Sequence, residues 1–290
     1  MSSKGAVGFD HFYAAMYGTR WASLKAALLA DKQHVAITNP HSGYVTESSV
    51  QISDIHFGHV VASRHATPQP TDTGLFNYYL LDAASVLAVE ALDIQPGQRV
   101  VDLCAAPGGK SLLCALKLDG YGQLTANDRS NNRRQRIIRI MDDYLPATQR
   151  SIITVTGHNA ALWSQYQTDY FDRVLLDAPC SSERHVLEDA HALAQWAPGR
   201  SKALAVTQFA MLASALEIVK VGGRIVYSTC ALSQLENDEV IRKLHKKRAG
   251  RFAMHRPTFS FGEPSEYGWQ VLPDTTGWGP FYLAVIERTT

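Results

Sequence analysis

The sequence predicts an α/β fold: a mainly parallel, Rossmann-like sheet covered by helices on both faces, with a small helical extension before it. Two observations carry this expectation. From Arg99 onward, apolar runs of strand length alternate with segments of helical periodicity, the pattern of a parallel sheet joined by crossover helices. Polar residues and glycines then fall at the carboxyl end of one run after another, where open sheets of this kind bind ligands.

In chain order, Phe9, Phe12, Tyr13, Met16, Tyr17, Trp21, Leu24 and Leu28 stand at helical spacing and read as one or two amphipathic helices. His34 to about Thr73 is less regular, and Pro68, Pro70 and Thr71-Asp72-Thr73-Gly74 mark a boundary. The chain therefore divides into a mainly helical extension, 1–73, and a larger unit, 74–290. Leu75–Leu92 reads as a helix that stops before Pro96-Gly97. Strands are expected at Arg99–Leu103, Gln123–Asn127, Ile152–Thr156, Arg173–Leu176, Arg224–Ser228 and Tyr282–Ile286. Helices are expected near Lys110–Leu118, Asn132–Asp143, Leu204–Val219 and Glu236–Lys246, the last opened by a capping box of Ser233 with Glu236.

Composition narrows the function. With 46% hydrophobic and 19% charged residues the chain can bury a sizeable core. Lys and Arg number 28 against 27 Asp and Glu, a net +1, so any nucleic-acid role must rest on local basic faces. The four cysteines, Cys104, Cys114, Cys180 and Cys230, form no C-x-x-C pair. Neither a structural zinc site nor a secreted disulfide framework is expected. An inert buried role is open to all four and is the reading for Cys114. No apolar run is long enough to span a membrane, and neither a signal-peptide core nor an Arg-rich presequence is evident. A reduced, soluble compartment is expected, most simply a bacterial cytoplasm.

The strand ends carry the chemistry. Pro107-Gly108-Gly109-Lys110 follows the first strand and opens a helix, so the backbone can approach a ligand and free N–H groups can meet an anion. Asp128, ending the second strand, suits a ribose, or equally the N-cap of the next helix. Asn159 after the third strand is a loop residue or an adenine contact. Asp177 ends the fourth, and a lone aspartate there is as often structural as functional. Cys180 and Cys230 both follow directly on strands, where a thiolate needs activation to attack. Arg129, Arg133, Arg134, Arg136 and Arg139 form one basic run, and Lys243, Lys246, Lys247, Arg248 and Arg251 another. Each is either a solvated face or a phosphate contact.

Tyr78-Tyr79-Leu80-Leu81-Asp82-Ala83-Ala84-Ser85, Asp102 to Lys110, Asn127-Asp128, Asp177 to Cys180 and Ser228-Thr229-Cys230, in that order, resemble the NOP/Sun (RsmB/NOP-type) family of RNA cytosine-5 methyltransferases. Asp177 to His185 and the opening from Phe9 to Leu29 are most similar to its mitochondrial rRNA-modifying branch. The resemblance implies a class I, S-adenosylmethionine-dependent methyltransferase fold and RNA as partner, with rRNA or a ribosomal subunit the expected target. A protein partner for targeting stays open, and no metal or membrane is implied. By the same resemblance Cys230 is the nucleophile adding to C6 of cytosine, and Cys180 helps resolve the adduct. Asp177 lies between cofactor and base. Gly108, Gly109 and Lys110 contact the methionine end of the cofactor, Cys104, Ala105 and Pro107 also belong to the cofactor site, Asp128 holds the ribose with Arg133 nearby, and Asn159 stands at the adenine, where the family commonly has Asp. Two thiols suit this chemistry, because C5 of cytosine becomes nucleophilic only after a thiolate adds at C6. The alternatives are a tRNA or DNA cytosine-C5 methyltransferase, or a non-catalytic ribosome-assembly factor that keeps the fold.

Overall fold

The computed structural model describes residues 4–45, 52–56, 60–61 and 67–290; the rest of the irregular stretch read from His34 to Thr73 lies outside them. Helices α1 (Gly5–Tyr17) and α2 (Trp21–Leu29) are followed by strands β1 (Val35–Thr38), β2 (Val60–Val61) and β3 (Tyr78–Leu81). Then come α3 (Ala83–Leu92), β4 (Arg99–Asp102), α4 (Gly109–Leu118), β5 (Gln123–Asn127), α5 (Asn131–Tyr144), α6 (Ala147–Arg150), β6 (Ile153–Thr156) and β7 (Phe171–Asp177). The short α7 (Glu183–Glu188) and α8 (Ala190–Gln195) precede α9 (Gly199–Ile218), β8 (Val219–Thr229) and α10 (Asp238–Arg248). The chain closes with β9 (Phe252–His255), β10 (Glu263–Pro264), β11 (Trp269–Val271), α11 (Pro273–Thr276) and β12 (Phe281–Arg288).

The large sheet runs β10-β11-β12-β8-β7-β4-β5-β6, with β9 on β12. Strands β6, β5, β4, β7 and β8 are parallel, while β12 is antiparallel to β8. Both faces are covered, so the central strands bury apolar residues on both sides. Val100, Leu175 and Val226 feed a core under α3, α4 and α5. Their neighbours Val101, Val174, Leu176 and Ile225 feed a second core under α9 and α10. The chain leaves β4 toward β5 and β6 and returns to β7 on its other side. The carboxyl ends of β4 and β7 therefore flank the crevice where such sheets take ligands.

Two expected elements differ. Leu75–Leu92 is not one helix: Tyr78–Leu81 pairs with β1, Val35 opposite Leu81. The break comes at Asp82, whose carboxylate accepts the Ala84 N–H at 2.9 Å and caps α3. Paired aromatic and apolar residues favour the sheet over helix propensity. The Ser233–Glu236 capping box does not form either. Helix α10 begins only at Asp238, the Ser233 hydroxyl has no partner among the described residues, and Glu236 turns inward. Helix α9 also starts at Gly199, ahead of the expected Leu204.

Residues before position 74 are not purely helical, and they are fastened to the remainder. Phe9, Tyr13, Trp21, Leu24 and Leu28 form a third core with Val186, Trp196, Leu232 and Leu272. Phe9 lies 5.3 Å, centroid to centroid, from Trp196 in an edge-on contact. The Arg184 guanidinium donates to the Leu28 and Ala30 carbonyls at 2.7 and 3.0 Å, ending α2 with a positive charge. No helix among the described residues is long and apolar enough to cross a membrane. Phe9→Ala should cost about 3–5 kcal/mol. If α1 and α2 fold with the sheet as one cooperative unit, chemical denaturation will show that loss in a single transition; a separate early transition would mean the extension melts alone.

Candidate active site

The sheet register builds the site. Asp177 of β7 pairs with Ser228 of β8, so the loops leaving the two strands start side by side. Cys180 Sγ and Cys230 Sγ stand 2.8 Å apart, and the Ser182 hydroxyl lies 3.5 Å from the first and 3.2 Å from the second. Cys230 is exposed and Cys180 half-buried. The hydrogen bond from Cys180, and then that from Ser182, lowers the Cys230 thiol below its ordinary value. The same bond, with burial, raises Cys180. Of the two, Cys230 is therefore the thiol that loses its proton first while Cys180 keeps its own, the order needed for a nucleophile with a neighbouring acid.

Beside the thiols, Lys110 Nζ donates to Asp177 Oδ2 and Ser228 Oγ to Asp177 Oδ1, both at 2.8 Å. Burial opposes the charge on Lys110, but the attraction and hydrogen bond of Asp177 outweigh it and its pKa is raised. Cys230, Ser182, Asp82, His34, Arg184 and Phe281 are among the residues lining a cavity of about 300 Å³, at the small end of ligand-pocket sizes.

On the other side of Lys110 lies the turn 104–110. Gly109 is required there: a Cβ would come 2.6 Å from the Tyr79 ring, which β3 lays against α4. Gly108 has φ +127°, open to glycine. It precedes α4 without a side-chain cap, so the first-turn N–H groups of that helix are offered to an anion. Asp102 is buried, accepting from Ser111 Oγ at 2.6 Å and the Cys104 N–H at 3.3 Å. Burial pushes its pKa up to about 7, with Asp177 adding to the rise. Burial likewise raises the Cys104 thiol, and Cys114 is fully buried and raised as well.

At the end of β5, Asp128 is not the cap of α5; Ser130 takes that role, accepting the Arg133 N–H at 3.4 Å. Asp128 Oδ1 accepts the Ser130 N–H, and Oδ2 lies 3.4 Å from Arg133 Nε. Arg133 also donates to the Ala106 carbonyl at 2.9 Å, tying the end of β5 to the glycine turn. Asn159 caps the following helical turn by accepting the Ala161 N–H at 3.2 Å. Arg134 is consumed internally: it donates to the Asp128 and Arg129 carbonyls and to Asn131. Arg129, Arg136 and Arg139 are exposed.

Sequence reasoning missed the groups behind the thiols. Glu183 and Glu236 are completely buried. Glu236 Oε2 accepts the Ser181 N–H at 2.9 Å and Gln208 Nε2 at 3.0 Å. Glu183 accepts from Tyr13, Ser181 and Leu232. Their one signal was position, a carboxylate three residues after Cys180 and another six after Cys230; Tyr13, set among aromatics at helical spacing, had none.

A parallel sheet with an acid-ended second strand, a glycine turn on the first helix and this switch point is that of a class I S-adenosylmethionine-dependent methyltransferase. Residues 89–287 match the family model of the 16S rRNA methyltransferase RsmB/F, and the chain belongs to that family. The 5-cytosine rRNA methyltransferase NSUN4 of Xenopus tropicalis is 33% identical, over 90% of this chain and 68% of its own. That of Bos taurus is 31% identical over 97% and 88%, and a mitochondrial tRNA (cytosine(34)-C(5))-methyltransferase of Danio rerio is 32% identical over 97% and 86%. A methyltransferase homolog protein from Pyrococcus horikoshii shares the fold, with a TM-score of 0.77 and 22% identity over 96% of this chain and 95% of that one.

Asp102 gives a test of the electrostatics. Its pKa is raised on folding, so the folded chain holds a proton that the unfolded chain has released between about pH 4 and 7. Stability from this group is present below that window and falls as pH rises through it, by a few kcal/mol at most. Asp102→Asn should flatten the loss of Tm between pH 5 and pH 7.5; an unchanged slope would remove Asp102 as its source.

Proposed function

We propose that this RNA cytosine-5 methyltransferase modifies a cytosine of rRNA through a covalent adduct on Cys230. The observation that carries the reading is the 2.8 Å thiol pair, with its exposed member on a cavity that can receive a base. The Cys230 thiolate adds to C6 and makes C5 nucleophilic. S-adenosylmethionine supplies the methyl group that C5 takes up. With the charge of Cys230 spent in the C6–S bond, Cys180 releases its own proton to solvent; as thiolate it takes the C5 proton, the C5–C6 double bond re-forms, the C6–S bond breaks and Cys230 leaves as thiolate. Lys110 holds Asp177 where its carboxylate can accept from the cytosine edge. The base must be unpaired or flipped out, since the thiolate approaches its face.

The donor set fits the cofactor. The uncapped start of α4, with Pro107, Gly108, Gly109 and Lys110, suits the methionine carboxylate, and Cys104 and Ala105 form the turn beneath it. Asp128 faces the ribose with Arg133 beside it. Asn159, whose oxygen already holds Ala161, meets the adenine without charge. A fold kept only for ribosome assembly needs no thiol pair of this geometry. The Danio rerio relative makes tRNA the competing target, and bisulfite sequencing of total RNA with and without the protein separates the two. Residues 1–73 and a protein partner would complete target choice.

Cys230→Ala should abolish methylation while cofactor binding, read by calorimetry, stays nearly intact. Cys180→Ala should attack but not release, accumulating a gel-stable protein–RNA complex under methylating conditions. Normal turnover by the first variant, or free RNA only with the second, would sink the assignments.

RNA phosphates are expected to meet the exposed arginines of α5, beside the ribose site. Arg134, pinned to backbone carbonyls, is excluded from that role. Each phosphate contact to single-stranded nucleic acid contributes about −0.7 to the slope of log K against log salt. Arg136→Ala with Arg139→Ala should therefore flatten the slope and weaken RNA binding without moving cofactor affinity. An unchanged slope would make this face merely solvated.

A further inference from the structure

The loops that carry the two cysteines share one fastening. Glu183 Oε1 accepts the Tyr13 hydroxyl at 2.5 Å and also the Ser181 hydroxyl. Its Oε2 accepts the Leu232 N–H at 2.9 Å. Ser181 follows Cys180 directly, and Leu232 is two residues beyond Cys230. A single buried carboxylate is thus bonded to both cysteine loops, and its third donor comes from α1. A carboxylate has only acceptors, so three converging donors suit it, and removing one leaves a buried charge undersolvated. Tyr17 adds a second tie from the same helix, its hydroxyl donating to the Leu232 carbonyl at 2.8 Å.

We propose that Glu183 is a positioning residue that sets the spacing of Cys180 and Cys230, and that the Tyr13 hydroxyl of α1 completes its hold. The helices ahead of the sheet are on this account part of the catalytic apparatus. The proposal rests on Cys230 as the attacking thiolate, and deepens that reading. A shift of more than about 1 Å between the sulfurs would lose the hydrogen bond that favours charge on Cys230, and misplacement on that scale can cost up to about 10²-fold in rate.

Two effects of Glu183 on Cys230 have opposite sign. Its negative charge acting directly raises the thiol's pKa, whereas its hold on the loops preserves the Cys180 bond that lowers it. The other charged or titratable groups around Cys230 are Lys110 on α4, Asp177 on β7, His185 on α7, and Lys32, His34, Asp82 and Arg184 on the cavity wall. None of them changes in the variants below.

The test is the pH dependence of Cys230 alkylation by iodoacetamide, followed on its own peptide by mass spectrometry in the full chain without RNA. Tyr13→Phe and Glu183→Ala should move the alkylation curve to higher pH and slow the reaction at pH 7 several-fold. Glu183→Gln, whose amide oxygen can keep Leu232 while both hydroxyls turn to accept from its nitrogen, should recover most of the loss. In a Cys180→Ala background Tyr13→Phe should leave the curve where it is, and Glu183→Ala should move it only to lower pH, because the direct effect of the Glu183 charge is all that is left to remove. With RNA, kcat should fall on the order of tenfold for Tyr13→Phe while KM for RNA and cofactor holds. With Cys180 in place, a curve that stays put or moves to lower pH overturns the proposal, as does an equal upward shift without Cys180. Should Glu183→Ala fail to fold, Tyr13→Phe carries the same readings. Because alkylation needs no RNA, a wrong RNA assignment would leave this result standing, and a wrong spacing role would leave methylation by the unaltered protein intact.

Discussion

The parallel pairing of β7 with β8 is the constraint on which the site depends. Placing Asp177 opposite Ser228 starts two loops from the same level of the sheet. Three residues on in one and two in the other, the sulfurs meet. A slip of one residue would send the alternate side chains to the wrong face: Tyr227, now in the core under α9, would exchange places with Val226, in the core under α3. Both faces are packed, so the register is held by the two cores together, and catalytic geometry follows from burial far from the thiols.

Charge at this edge is arranged along a line. Asp102, whose pKa burial raises to about 7, lies beneath the glycine turn. Lys110 stands between it and Asp177, and its ammonium also approaches the Phe281 ring at 5.3 Å. The thiols come next, and behind them two buried carboxylates. The lysine therefore stands between the glycine turn and the thiol pair while bonded to Asp177. Desolvation sets the state of Asp102, and hydrogen bonding sets that of Cys230, so salt acts weakly on either.

Much of this was legible in the sequence because it depends on local pattern. The alternation after Arg99 gives the central strands, and the strand-end positions of Gly108, Asp128, Asp177, Cys180 and Cys230 follow from it. What could not be read was decided by distant partners. Tyr78–Leu81 is a strand because β1 offers an edge. Ser233 and Glu236 have the spacing of a capping box, yet Glu236 is worth more to the Ser181 N–H, a donor otherwise buried without an acceptor. Arg134 differs from Arg136 only in which carbonyls lie within its reach. Glu183 and Tyr13 sit 170 positions apart, and no periodicity announces such a pair.

That separation has a consequence for how the protein is made. The bonds from Tyr13 to Glu183, Tyr17 to Leu232 and Arg20 to Asp274 span 170, 215 and 254 residues. During synthesis α1 and α2 emerge first, but the surfaces that cover their aromatic face leave the ribosome far later. Such non-local contacts are slow to form, since loop closure must be achieved before they stabilise anything. The young chain therefore carries Phe9, Tyr13 and Trp21 without Trp196, Leu232 and Leu272 until those segments have emerged, and its thiol pair can reach working geometry only once Leu232 has left the ribosome.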